Sequence, residues 1–170
     1  MCSAVAGGRA VVVVVVVVAC SHTVFLFSTV SASVTFLTNM SPYLAVAIFH
    51  PRYGNFQHWA LHLHSDTEDH LFEVDGEHPG FTKVTSHGHP RNIPMYIQSI
   101  RVSDIGSVDI PTIQAVVDAA LVDNETLEWD CQDYVLELLE GFECEAVIDD
   151  DNPDYLEAIE ILRSKRGPIL

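Results

Sequence analysis

Residues 41–170 predict an α+β domain, an antiparallel sheet packed with helices, behind an apolar segment over residues 1–40. Short β-prone runs broken by Gly, Pro and polar turns fill the chain from Tyr43 to Val102. From Pro111 onward apolar residues recur instead at helical spacing. At 170 residues the chain has the length of about one domain with a single core.

Tyr43 to Phe49 is apolar and closed by His50-Pro51 and Gly54, a first strand. His58 opens the run Trp59 to His64, Ser65 to Asp69 is a polar turn, and Leu71 to Val74 resumes the pattern, with His70 at its start. This is a hairpin, and pairing about a centre near His64 sets His58 opposite His70 on one face. Phe81 to Thr85 is a short strand between the loops Glu77-His78-Pro79-Gly80 and Ser86-His87-Gly88-His89-Pro90, and Met95 to Val102 is a further strand.

Pro111 suits the first turn of a helix with Ile113, Val116, Val117, Ala120 and Leu121 on one stripe. Asp130 is a natural N-cap for a second helix from Cys131 to Glu140, with Cys131, Tyr134, Val135, Leu138 and Leu139 inward and Gly141 ending it. A third helix starts near Pro153 after Asn152, turns Leu156, Ile159 and Leu162 inward and stops at Gly167.

Ala10 to Leu37 carries no charged residue apart from the weak base His22, and includes eight consecutive valines, Val11 to Val18. That length spans a bilayer, and with Arg9 before it and Ser31, Ala32 and Ser33 near its end it also fits a signal segment. A low-complexity extension ahead of a second start at Met40 is the competing reading. Membrane association follows if the segment is genuine, and a cytoplasmic location otherwise.

The formal net charge is -16, and Val102 to Leu162 holds 18 acidic residues with no lysine or arginine. Phosphate neutralisation has no cations to draw on there, so nucleic acid is excluded as a partner and anionic lipid is disfavoured. Of the four cysteines, Cys2 and Cys20 lie in the apolar segment. Cys131 and Cys144 sit too far apart along one helix to bridge, which implies free thiols and a reducing compartment.

Cys131 in the first turn of a helix is a candidate nucleophile, because unsatisfied amides there favour thiolate. His58 is the candidate general base and His70 the group that orients it, with the Cys131 amide in the oxyanion hole. Asp130, Asp133 and Glu137 around the thiol oppose its ionisation. A core role for Cys131 and a structural one for each histidine are the competing readings. Trp59 and Trp129 flank these positions as packing residues or pocket walls.

Five imidazoles, His58, His62, His64, His87 and His89, form a lesser zinc alternative, with no C-x-x-C or H-E-x-x-H to support it. The acidic runs Asp149-Asp150-Asp151 and Asp123-Asn124-Glu125 lack the spacing of a calcium loop and suit helix caps. No cofactor is expected.

His58-Trp59-Ala60-Leu61, His70 twelve positions on, and Asp130-Cys131-Gln132-Asp133-Tyr134-Val135 together resemble the lecithin retinol acyltransferase-like family. That family belongs to the circularly permuted NlpC-type branch of papain-like thiol enzymes, in which histidine precedes cysteine. The resemblance covers residues 43 to about 142, as a divergent branch of fungal look. It implies a permuted papain-like fold and a thiol hydrolase or acyltransferase working through an acyl-cysteine on a small-molecule, lipid or peptide substrate. Family members usually carry an Asn-Cys-Glu-His-Phe-like segment where this chain has Asp130 and Gln132-Asp133, which leaves the scissile bond, ester or amide, open. The alternative is a catalytically silent papain-like domain that binds protein or lipid.

Overall fold

The computed structural model describes residues 41–168, so the expectations for residues 1–40 lie outside the described residues. Five strands, β1 (Tyr43–Phe49), β2 (His58–His64), β3 (Asp69–Asp75), β4 (Thr82–His87) and β5 (Tyr96–Asp104), precede α1 (Ile110–Ala119), α2 (Cys131–Cys144) and α3 (Pro153–Lys165). The strands form one sheet in the order β4-β3-β2-β1-β5, and every neighbouring pair is antiparallel. The domain is therefore α+β, and no helix among the described residues is long and apolar enough to cross a membrane.

Alternation divides the sheet into two unlike faces. Leu44, Val46 and Ile48 of β1, Trp59, Leu61 and Leu63 of β2, and Phe72 and Val74 of β3 meet Val135, Leu138, Leu139 and Phe142 of α2 in the main core. Each such aliphatic or aromatic side chain contributes about 1.5–3 kcal/mol by leaving water, so this face holds the fold together. The other face has a smaller apolar cluster of Ala47, Phe49, Ala60 and Leu71. His58, His62 and Glu73 are buried polar residues that alternation places on that same face.

The hairpin register differs from the expected one. Ser65 closes a tight turn, its Oγ donating to the Glu68 carbonyl (2.8 Å) and accepting from the Glu68 amide (3.1 Å). This puts Asp69 opposite His64 and His70 opposite Leu63. His70 consequently shares the helix-side face with Leu63, and His58, an odd number of residues away on β2, points to the other face.

Three helix expectations also shift. α2 runs on through Gly141 to Cys144, and Gly141 serves instead as a contact point, since a Cβ there would lie 2.8 Å from Val116 Cγ1 of α1. Leu156 of α3 is exposed because the inward stripe is Tyr155, Ala158, Ile159 and Leu162, one position out of phase with it. α1 stops at Ala119 and leaves Leu121 in solvent. Lys83 of β4 closes this end, its Nζ donating to the carbonyls of Val117 (3.2 Å), Asp118 (2.8 Å) and Ala120 (3.0 Å).

A cation at a helix C-terminus satisfies carbonyls that have no partner within the helix. Lys83→Met is expected to cost about 1–2 kcal/mol, read as a lowered urea midpoint at unchanged slope. An unchanged midpoint would mean that water replaces the ammonium without loss.

Candidate active site

Asp130 is the N-cap of α2, its carboxylate accepting from the amides of Gln132 (2.7 Å) and Asp133 (3.4 Å), while Asp133 accepts in return from the Asp130 amide (3.2 Å). The reciprocal cap starts the helix at Cys131. Gln132, fully buried, then fastens that first turn to two other segments: its Nε2 donates to the Gln57 carbonyl (2.9 Å) and its Oε1 accepts from the Gly167 amide (2.8 Å). Phe56 and Pro168 pair beside it. The thiol is thus held against the residue that precedes β2, where Cys131 Sγ donates to the Gln57 carbonyl at 4.0 Å.

His58 begins β2, and its Nε2 is hydrogen-bonded to Glu73 Oε2 on β3. Both side chains are buried, and Arg52 closes the chain of contacts, with Nη2 3.1 Å from Glu73 Oε2 and Nη1 3.2 Å from Asp75 Oδ1. A carboxylate on Nε2 keeps the proton on that nitrogen and leaves Nδ1 with a lone pair, the form an imidazole base requires. His58 and Cys131 line one cavity of about 740 Å³, whose walls also include Phe81, Trp129, Asp75 and Arg166.

Of the three residues singled out in the sequence, two therefore share a cavity and the third does not take the expected role. His70 lies on the opposite sheet face from His58; its ring stacks on Phe72, and its Nε2 is 3.3 Å from Glu68 Oε2. The group that orients His58 is Glu73. Its signal in the sequence was a carboxylate inside the apolar run Leu71-Phe72-Glu73-Val74, although only the register could assign it a partner. Gln132, equally missed, is a polar side chain on the inward stripe of α2.

Burial pushes the Cys131 thiol up to about 12; the Trp59 amide pulls the other way, and the Asp130 charge pushes it further up. The thiol at rest is therefore neutral. Asp130 is itself raised by burial, against the pull of the Gln132 amide, with Asp133 adding to the rise. Trp129 is a cavity wall that is also packed, its ring 5.5 Å from Phe81 and its Nε1 donating to Glu137 Oε1 (2.8 Å). Trp59 is core, with no partner for its Nε1. Cys131 and Cys144 are both free thiols, the first buried and the second exposed.

The five imidazoles considered for zinc do not converge. His58 stands at the opposite end of β2 from His64, and His87 pairs with His70, which puts it on the helix-side face. Two smaller groups form instead: His62, His64 and Asp69 on one face, and Glu68, His70 and His87 on the other. No family model, no curated protein and no solved structure matches this chain.

Proposed function

We propose that the domain is a permuted papain-like thiol hydrolase or acyltransferase, acting on an ester or amide through an acyl-cysteine intermediate. The observation that carries this reading is a cysteine in the first turn of a helix and a carboxylate-held histidine at the start of a strand, both opening on one cavity. Cys131 Sγ attacks the acyl carbonyl carbon as His58 Nδ1 takes the thiol proton. The same imidazole returns that proton to the departing alcohol or amine. Water or an acceptor then releases the acyl group from sulfur.

Because the resting thiol is neutral, the proton moves during the attack rather than beforehand, and Glu73 supports the imidazolium that results. Asp130 occupies the amides of Gln132 and Asp133, so the Cys131 amide is the helix donor left for the developing oxyanion. Apolar side chains on the cavity wall, Phe56, Phe81, Leu127 and Trp129, suit an acyl chain or an aromatic group.

The high thiol pKa favours one other reading, a catalytically silent scaffold that binds lipid or protein in the same cavity. Acyl capture separates the two. With a short-chain thioester at neutral pH, mass spectrometry is expected to find the acyl group on Cys131 and not on exposed Cys144, and His58→Ala is expected to abolish it. In that variant Cys131 should react only as pH climbs towards 12, since thiolate is the attacking form. Cys144 reacting first at neutral pH, with no effect of His58→Ala, would leave the silent scaffold.

A further inference from the structure

The turn end of the β2–β3 hairpin carries a second group of chemistry-bearing side chains, roughly 20 Å along the strand from His58 at about 3.3 Å per residue. Asp69 Oδ1 accepts from His62 Nε2 (2.8 Å) and from His64 Nδ1 (2.7 Å), so one carboxylate oxygen gathers two imidazole nitrogens. All three ligand atoms lie within 4.8 Å of one another. Tyr43 packs on both rings, stacked on His64 at 4.7 Å and edge-on to His62 at 5.7 Å, which limits their rotation before any ion arrives.

We propose that His62 Nε2, His64 Nδ1 and Asp69 form a zinc-binding site, with the fourth position taken by water or His89. Two imidazoles and a carboxylate are a zinc ligand set, and bonds of about 2.0–2.1 Å place tetrahedral ligand atoms roughly 3.3 Å apart. The two oxygen–nitrogen separations need to open by about half an ångström, a small side-chain rotation. The ion takes the place of the two ring protons that Asp69 now accepts, and these pass to His62 Nδ1 and His64 Nε2, so that each imidazole binds as a neutral ligand with no net proton release.

His89 stands with its ring 5.4 Å from His62 and its Nδ1 accepting from the Arg91 amide (3.2 Å), which leaves Nε2 for a metal. The group on the other face, Glu68, His70 and His87, is far more exposed and forms no part of the site.

The test titrates zinc chloride into the full chain after chelator treatment, by calorimetry, with cobalt absorption as an independent reading of the ligand field. One tight zinc per chain is expected, retained in Cys131→Ala and in His70→Ala/His87→Ala. Asp69→Asn keeps an oxygen for both rings but loses the charge, and is expected to weaken binding by at least the ~10–100-fold that loss of an outer partner costs. Should His62→Ala fail to fold, Asp69→Asn and His64→Gln, at a partly buried position, still decide. Absence of tight binding, equal affinity in Asp69→Asn, or loss confined to the Cys131 or the His70/His87 variant would overturn the site.

Discussion

Glu73→Ala is expected to lose about 3–5 kcal/mol of stability and the ability to acylate Cys131. The buried carboxylate is the partner of the His58 Nε2 proton and of the Arg52 guanidinium, so alanine strands the buried imidazole and leaves Arg52 with Asp75 alone. Glu73→Gln is the more telling variant. Its amide fills the same space and should cost only about 1–2 kcal/mol, the scale of a charge-assisted bond replaced by a neutral one. An amide N–H facing His58 Nε2 drives the ring proton to Nδ1, where it blocks the approach of the thiol proton. Acyl capture should then fall on the order of 10³–10⁴-fold while the urea midpoint moves little. A Gln variant that acylates at the parent rate would remove Glu73 from the mechanism and leave it a structural ion-pair partner.

The second large effect is in the backbone. Gly76 follows β3 at φ +116°, and a Cβ there would lie 2.6 Å from the Gly80 carbonyl oxygen, in the loop that walls the cavity beside His78. That oxygen shares a peptide plane with the Phe81 amide, which donates to Asn124 Oδ1 (2.8 Å), and the Gly80 amide donates to the Glu77 carbonyl (2.7 Å), so swinging it away disturbs two hydrogen bonds. Gly76→Ala combines a strained conformation with a backbone clash, and about 2–3 kcal/mol is expected. Gly88 offers an internal control, with φ +113° and nothing within 4 Å of its Cβ position. Gly88→Ala should cost about 1 kcal/mol, the conformational part alone. Equal losses for the two would mean that the loop relaxes and that the close approach contributes nothing.

Much of the architecture was readable without coordinates. The short apolar, β-prone run Tyr43 to Phe49 and the alternation at Trp59 to His64 read as strands, and Asp130 announces the start of α2 because a carboxylate there satisfies amides the helix leaves open. The errors have a common physical form. Glycine is a good C-cap, so Gly141 reads as a helix end, yet here it admits Val116 of a neighbouring helix, a contact absent from any local pattern. Leu156 and Leu121 fit an apolar stripe by spacing alone, and it is packing that selects Tyr155 and Ala158 instead.

The candidate site divides in the same way. Residue chemistry in the sequence was sufficient to single out Cys131 at a helix start and His58 at a strand start, since capping and alternation act over a few neighbouring positions. The tertiary structure decided which group answers His58. A turn at Ser65 to Glu68 sets the register of β2 on β3, and a shift in that register exchanges faces, so His70 goes to the helix side while Glu73 meets the imidazole. The neutrality of the Cys131 thiol was decided there too, because burial by distant segments outweighs the local pull of the helix end.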